Sequence, residues 1–575
     1  MGESFRRLQA LFSKRWGRRD TLTAMHPSRV PVVALLLVAV ACAQTPVATT
    51  PMEHPAYPSW LDTAPGEQIA ALLADPAVAR AHWGIAVTAL DGTPLYGWDE
   101  GKLFRPASNN KIFTTATAMA LLGPEKTFTT RVVGDFDPAT GTVTGDLTLV
   151  GGGDASFGTN DLPFVEPGLR TKNAVKPPAL ADLAAMVDQF VAKGVKRVTG
   201  DVVGDDTLFP YEPYAESWGA DDQVWGYGAP VSALSIADNQ MKLTVTPGVV
   251  TGRPGHQTFG AATVQLDQND VAYYTVEAQV ETSPAGTHSD GVAEERLPGS
   301  RRIRIYGSIA ANAHPDVEYL AIADPAEYAA MALRGMLEQH GVVITGVARA
   351  QHQPVRDGDG FLTGLRGADA CEAQTVSGGE CAGSCLVPIQ RGQLLASHTS
   401  APLGEDVVLT NKVSQNLHAE ILFHQLGRRA TCRDGSIVDS ARMVRAFLIH
   451  AGVDGDDFTF FDGSGLSAHD LVTPRATATF LAFVAKQSWF ADWKASLPEG
   501  GVDGSLETRF PELPLKGHLF AKTGTLGESR ALSGYVDAAS GRTVIFSIFV
   551  DDHAPGGSAD RVVMDKIVAA IAAAN

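Results

Sequence analysis

Pro106-Ala107-Ser108-Asn109-Asn110-Lys111-Ile112-Phe113 opens an apolar run that reads as a helix to about Leu122, where Gly123-Pro124 stops it. A Ser and a Lys three positions apart lie on one face of a helix, a turn apart. A neutral lysine amine held there can take the serine's proton and turn a weak hydroxyl into an acylating nucleophile. Ser-x-x-Lys alone arises by chance about once in a chain of this length at ordinary composition. Its meaning therefore rests on what lies downstream.

Two further motifs lie there. Ser414-Gln415-Asn416 falls inside or at the end of a helical stretch, within a pattern read as one long amphipathic helix over Val407–Leu426. Lys522-Thr523-Gly524-Thr525 sits at the end of a strand read over Leu515–Lys522, before a hairpin. Ser-x-x-Lys, Ser-x-Asn and Lys-Thr-Gly, in that order, form the signature of penicillin-binding proteins and active-site-serine β-lactamases.

Each residue type has a physical job. Ser108 at a helix N-terminus gains from the positive end of the helix dipole as charge develops. Lys111 has to be neutral part of the time; the nearby cation Lys522 and partial burial would both lower its pKa. Ser414 can pass a proton between Lys111 and a leaving amine, and Asn416 can hold Lys111 and the substrate's amide. Lys522 supplies charge for a terminal carboxylate. Thr523, Gly524 and Thr525 offer an edge that a peptide can join as an added strand, with Gly524 keeping that edge clear of a Cβ. Backbone N–H groups of Ser108 and Thr525 would form an oxyanion hole. Structural alternatives exist one by one: an N-cap serine, a surface asparagine, an edge-strand lysine that blocks aggregation. Three such coincidences in the right order argue against them.

The chain resembles the class C low-molecular-mass penicillin-binding proteins, the D-alanyl-D-alanine carboxypeptidase/endopeptidase family, over about residues 60–575. The resemblance rests on the three motifs and on Gly151-Gly152-Gly153-Asp154, Gly204-Asp205-Asp206, Gly228-Ala229-Pro230-Val231-Ser232-Ala233-Leu234 and Asp462-Gly463-Ser464-Gly465-Leu466-Ser467. It also rests on the insertion of roughly 300 residues between the first two motifs. The fold it implies is a multi-domain α/β protein. A transpeptidase-like catalytic domain, an antiparallel sheet with helices as in serine β-lactamases, would span 59–125 and 395–575. An inserted α/β domain would span 126–238 and 313–394, with a nested β-rich domain over 239–312.

The activity the resemblance implies is hydrolysis of peptidoglycan stem peptides through an acyl-enzyme on Ser108. It would act as a D-alanyl-D-alanine carboxypeptidase and also as a D,D-endopeptidase, with β-lactam antibiotics acylating the same serine. No metal or organic cofactor is implied. The family lines a pocket for a diaminopimelate side chain with an acidic and an aromatic residue, and the matching positions look like Asp222 and Tyr227. Two positions depart from the pattern. Ala468 stands where members often carry Arg after Gly-Leu-Ser, and Gly527 where a polar residue helps binding. These put side-chain selectivity in question, not acylation. A β-lactamase or esterase on the same catalytic domain is a second reading, opposed by the nested insertion and by Ser-x-Asn. A non-catalytic envelope-binding protein is a third, opposed by the intact Ser108, Lys111, Ser414, Asn416 and Lys522.

Composition agrees with an exported globular protein. Of 575 residues, 45% are hydrophobic and 19% charged, which suits a soluble globular chain with more than one domain. The net charge of -18 without a basic stripe argues against nucleic acid as a partner. Residues 1–30 are basic, Val30–Val40 is apolar, and Ala41-Cys42-Ala43-Gln44 follows. This is a signal segment over 1–43, too short in its apolar core to span a bilayer. A Thr/Pro-rich linker over 44–58 comes next. Cleavage before Gln44 and a permissive lipobox that would lipidate Cys42 are both open, so the expected location is the periplasm or the cell envelope. Cys371, Cys381, Cys385 and Cys432 remain in the exported part. Their even count favours disulfides over metal, with three pairings open.

Other elements follow from local pattern. Trp83–Leu90 and Leu95–Trp98 flank Asp91-Gly92 as a hairpin. Helices are read at Ala179–Ala192, at Pro325–Gln339 behind the cap Asp324, and at Thr473–Lys486 with Pro474 in the first turn. The first two helices each run into a Gly–strand–Thr-Gly sequence, an echo that suggests two halves of one α/β domain. Strands are read at Met241–Thr246, Ala272–Val280, Arg302–Ile309, Ala531–Asp537 and Thr543–Val550, and a last helix at Arg561–Ala574. His418 and His424 read as packing or surface residues, and Ser464 as part of a tight turn.

Overall fold

The computed structural model describes residues 64–575 except 160–161, 172–175, 254–255, 287–290, 356–360, 362–371, 373–374, 378–391 and 432–434, together with His54, Ala56 and Tyr57. The signal segment, Cys42 and all four remaining cysteines lie outside the described residues. Among the described residues no helix is long and apolar enough to cross a membrane.

One five-stranded sheet carries Lys-Thr-Gly on an edge strand and packs on the helix that follows Ser108. Its order is Pro94–Trp98, His82–Ala89, Thr543–Asp551, Ser529–Asp537 and Leu519–Leu526. Every pairing is antiparallel, and Asp91-Gly92 turns the first hairpin as its sequence predicts. Alternation sends Ile85 and Val87 to one face and Ala86 to the other. The first face packs on the C-terminal helix Ala559–Ala574 through Met564, Ile567 and Ile571. The other packs on the helix Asn110–Leu121, whose Ile112 and Phe113 are fully buried. The strand that carries Lys-Thr-Gly begins at Leu519, not Leu515, because residues 512–518 form turns. It is the edge of the sheet, its first half bonded outward to residues 498–500 through Leu519 O and the Ala521 N–H.

The long helix expected over Val407–Leu426 is two helices, Leu403–Lys412 and Asn416–Thr431. The break is at Ser414, whose φ is 63°. The Gln415 N–H reaches back to Thr410 O at 3.1 Å and the Val413 N–H to Leu409 O at 3.1 Å. This is a helix C-terminus closed by a left-handed residue, in the manner of a Schellman turn. Apolar periodicity runs through the break unaltered, so the pattern alone showed a single helix.

The segment between the first two motifs builds two further layers. A seven-stranded sheet combines Thr129–Asp137, Thr142–Val150, Arg197–Val198, Val202–Pro210, Val343–Ile344, Ala348–Gln353 and Gln393–Thr399. The two copies of the helix–Gly–strand echo meet here: Arg197–Val198 runs parallel to Val343–Ile344, and Val202–Pro210 parallel to Ala348–Gln353. The helix Pro325–Gln339 starts as its sequence predicts, with the Asp324 carboxylate accepting from the Glu327 N–H at 3.0 Å. Beyond it lie small sheets built from Gln240–Thr246, Thr263–Leu266, Thr275–Ser283, Gly291–Glu295, Arg302–Ala310 and Asp316–Ala321. Asp316–Ala321 pairs with Gln240–Thr246, so that sheet takes a strand from past residue 312. One hydrophobic core runs through both layers.

A smaller core fixes this insertion to the motif helices. Phe209, Trp218 and Val231 pack on Leu417 and Ile421 of the helix that follows Ser414, and on Leu466. Trp218 Nε1 donates to Asp462 Oδ2 at 2.9 Å.

Candidate active site

Ser108 lies in a 3₁₀ turn, Ala107–Asn109, that feeds directly into the helix Asn110–Leu121. Ala107 just before it has φ 45°, a left-handed conformation that an alanine adopts only under constraint. The constraint comes from two sides. A Cβ on Gly465 would lie 1.8 Å from Ala107 O, and a Cβ on Gly524 would lie 2.6 Å from Pro106 O. Only glycine permits either approach. Asn109 then ties the turn to the edge strand, donating from Nδ2 to Lys522 O at 2.8 Å.

Lys111 is fully buried. Its Nζ contacts Ser108 Oγ at 3.1 Å, Asn416 Oδ1 at 2.6 Å and Ser464 O at 2.8 Å. The last two are acceptors only. The Asn416 amide is oriented because its Nδ2 donates to Tyr227 O at 2.9 Å. A neutral amine has two N–H groups and one lone pair. Its two N–H groups satisfy Asn416 and Ser464, and the lone pair is left facing the Ser108 hydroxyl. That is the arrangement of a base awaiting a proton.

Burial pulls Lys111 down to about 7, while Asp462, Glu420 and Asp470 push it back up. Sequence reasoning expected partial burial helped by Lys522. Burial is complete and is the first cause of the lowering; Lys111 and Lys522 repel each other, and the carboxylates oppose the shift. Glu420, pushed up to about 8 by burial and then by Asp462, accepts from the Gly463 and Ser464 N–H groups at 3.0 and 2.8 Å. Asp470, raised well above the carboxylate range by burial and by Asp462, accepts from Asn110 Nδ2 at 3.1 Å. Asp462 accepts from the Gly465 and Ser467 N–H groups at 2.6 and 2.7 Å. These acids hold the loop whose Ser464 carbonyl orients Lys111. Sequence reasoning missed them. The available signal was Glu420 one turn after Asn416 on the same helix face.

Lys522 is also fully buried, and its Nζ donates to Ser414 Oγ at 2.8 Å and to Thr523 O at 3.0 Å. Burial and the charge of Lys111 both hold it well below the usual lysine range. The Ser414 hydroxyl therefore faces Lys522. Thr523 Oγ1 lies 2.7 Å from Ser505 Oγ, and Thr525 is exposed on the edge strand. Tyr227 is half-exposed, its hydroxyl donates to Asp222 Oδ1 at 2.9 Å, and its carbonyl reaches Asn416 as above. Ala468 is exposed on the loop after Ser467.

The two histidines near Asn416 are buried, not on the surface. His418 is clamped between Asp406 and Asp238, and His424 Nδ1 bonds Gly435 O at 2.6 Å.

The model of the D-Ala-D-Ala carboxypeptidase 3 (S13) family matches residues 66–364 and 373–574. A D-alanyl-D-alanine carboxypeptidase of Actinomadura sp. (strain R39) is 31% identical over 518 residues, covering 88% of this chain and 84% of that protein. The D-alanyl-D-alanine carboxypeptidase DacB of Haemophilus influenzae is 24% identical over 461 residues, covering 78% and 81%. The crystal structure of penicillin binding protein 4 (dacB) from Haemophilus influenzae superposes with a TM-score of 0.68 at 21% identity, over 87% of this chain and 98% of that one, which establishes the shared fold. With Ser-x-x-Lys, Ser-x-Asn and Lys-Thr-Gly joined by two buried lysines, the chain belongs to the D-Ala-D-Ala carboxypeptidase 3 (S13) family of serine hydrolases, the class C low-molecular-mass penicillin-binding proteins.

Proposed function

We propose that this protein hydrolyses peptidoglycan stem peptides as a D-alanyl-D-alanine carboxypeptidase and D,D-endopeptidase, with Ser108 as nucleophile and Lys111 as its base. The observation that carries the reading is the Lys111 amine, buried and held by two pure acceptors with its third contact on Ser108 Oγ.

Ser108 Oγ gives its proton to Lys111 Nζ and bonds to the D-Ala carbonyl carbon. The resulting oxyanion takes hydrogen bonds from the Ser108 and Thr525 N–H groups, each such donor contributing roughly 10²–10³ in rate. As the C–N bond breaks, the leaving amine receives a proton through the Ser414 hydroxyl, which Lys522 holds in place. Asn416 orients both Lys111 and the substrate amide, while Thr523, Gly524 and Thr525 pair with the peptide along the sheet edge. Water then attacks the ester, returns a proton to Ser108 Oγ and releases the acid. The leaving group is D-Ala in carboxypeptidation and a cross-linking amino acid in endopeptidation. Asp222, whose carboxylate accepts from the Tyr227 hydroxyl, would hold an ammonium on the substrate side chain.

The signal segment over 1–43 supports action in the periplasm or at the cell envelope, and lipidation at Cys42 would tether the protein there. The layering supports a catalytic domain interrupted by an α/β domain that itself carries a β-rich one, with the strand Gln393–Thr399 still part of the inserted sheet.

Labelled benzylpenicillin tests the reading. A stable adduct on native protein that disappears in Ser108→Ala is the expected result. Rapid turnover would mark a β-lactamase, and no adduct on native protein would overturn the proposal.

A further inference from the structure

Lys111 owes its direction to two acceptors, Asn416 Oδ1 and Ser464 O, and the inserted segment reaches both. The Asn416 amide donates to Tyr227 O. The Ser464 carbonyl belongs to the loop 462–467, which turns around the buried carboxylate of Asp462. Oδ1 accepts from the Gly465 N–H at 2.6 Å, and Oδ2 from the Ser467 N–H at 2.7 Å. A carboxylate taken out of water needs donors on its oxygens. Asn110 Nδ2 reaches Oδ1 at 3.4 Å, whereas Trp218 Nε1 stands 2.9 Å from Oδ2. That donor comes from 244 positions away, in a different layer of the protein.

Packing alone does not ask for this bond. Trp218 shares a small core with Phe209 and Val231 of the insertion and with Leu417, Ile421 and Leu466 of the motif helix and loop. Leu417 follows Asn416, and Leu466 lies two residues after Ser464, so this core bears on both arms of the lysine's cradle. A phenylalanine would fill most of the same space. An indole N–H, once buried, has to find an acceptor, and here the acceptor is the acid at the centre of the Ser464 loop.

The two residues before Trp218 clasp the same loop. Ser467 Oγ donates to Glu216 O at 2.7 Å and lies 2.9 Å from Ser217 Oγ. The His469 N–H donates to Ser217 Oγ at 3.1 Å. Ser217 has a φ of 66°, a left-handed conformation that a serine keeps only where its surroundings hold it.

We infer that Trp218 is a positioning residue for the catalytic base: its N–H, acting through Asp462, fixes the Ser464 carbonyl in the direction that leaves the Lys111 lone pair on Ser108. The insertion is then part of the acylation machinery without touching a reacting atom. The inference rests on the serine peptidase reading above.

The test uses the full chain and stopped-flow labelling with penicillin over a range of concentrations, which separates the maximal acylation rate from the half-saturating concentration. Trp218→Phe keeps an aromatic ring in the core and removes the N–H. Its maximal rate is expected to fall about 10- to 100-fold, as a small misplacement of a reacting group does, with the half-saturating concentration within about twofold of native. In an Asp462→Asn background the same substitution is expected to cost under about threefold, because its partner is already altered. A packing role would cost the same in both backgrounds. An unchanged maximal rate in Trp218→Phe overturns the inference, as does an equal loss in the two backgrounds. Should Trp218→Phe fail to fold, Ser217→Ala, at an exposed position, takes its place. Its maximal rate is expected to fall about threefold or more at an unchanged half-saturating concentration, and no fall overturns the inference. An adduct on native protein whose rate is indifferent to these variants removes only the Trp218 role. No adduct on native protein removes the acyl-enzyme reading and this inference with it.

Discussion

Lys111 Nζ donates to the backbone carbonyl of Ser464 at 2.8 Å, joining residues 353 positions apart. This bond and the one to Asn416 Oδ1 use the two N–H groups of the neutral amine. The basicity of Lys111 toward Ser108 thus depends on a loop that reads from sequence as a simple turn. Glu420 and Asp462 hold that loop by its N–H groups, so buried acids position a buried base.

Acylation by penicillin should follow the protonation of Lys111. Below about 7 the amine is protonated and cannot accept from Ser108, so the second-order rate should fall about tenfold per pH unit on the acid side. Asp462→Asn removes a carboxylate that favours the charged amine. Its acidic limb should move to lower pH by about one unit. A pH profile of acylation on both proteins checks the direction; an unmoved limb would separate Asp462 from Lys111.

Ser414 couples backbone strain to chemistry. Its φ of 63° costs a non-glycine residue about 1 kcal/mol. Ser414→Gly should therefore melt at or above the native temperature while turnover drops by about 10² or more, since the hydroxyl bonded to Lys522 is gone. Ser414→Ala should lose the activity without gaining the stability. Thermal melting beside peptidase assays distinguishes the two.

Gly465→Ala should disable the nucleophile turn without touching a reacting group. Its Cβ would meet Ala107 O at 1.8 Å and its φ of 83° disfavours alanine. The loss should reach about 2 kcal/mol or more in stability. Acylation should fall at least about 100-fold, because a small displacement of an attacking atom is costly. Urea melts and stopped-flow labelling with penicillin measure each effect.

His418 makes stability depend on pH. Its pKa is raised to about 10; burial opposes the shift, and the carboxylates of Asp406 and Asp238 overcome it. A raised pKa means that the stabilisation is complete below the unfolded value of about 6.5 and fades as pH climbs toward about 10. His418→Gln leaves two buried carboxylates without their cation, a loss of about 3–5 kcal/mol at neutral pH. The difference in melting temperature between native and variant should shrink from pH 6 to pH 10. A difference that stays constant would show His418 to be neutral in the folded protein.

Much of the fold is visible locally. Asp91-Gly92 marks its hairpin, Asp324 and Pro325 start their helix, and Thr473 caps the next, accepting from the Ala476 N–H at 3.1 Å. Each signal acts within four residues, through dihedral preference or one hydrogen bond, so neighbours in sequence suffice to reveal it. The break at Ser414 escaped because apolar spacing is the same on both sides of it. The strain there is held by contacts with Lys522 and with the packed insertion, which no window of sequence contains.

By itself the sequence singled out the proposed reacting groups: Ser108, Lys111, Ser414, Asn416 and Lys522, each of a type that its chemistry requires and in an order that chance rarely supplies. Only the tertiary structure decided their states. Complete burial makes Lys111 a base near neutral pH, the Ser464 carbonyl aims its lone pair at Ser108, and Lys522 is turned onto Ser414 Oγ and Thr523 O. Desolvation and direction are properties of what surrounds an atom, and the surroundings of Lys111 are assembled from segments hundreds of residues apart.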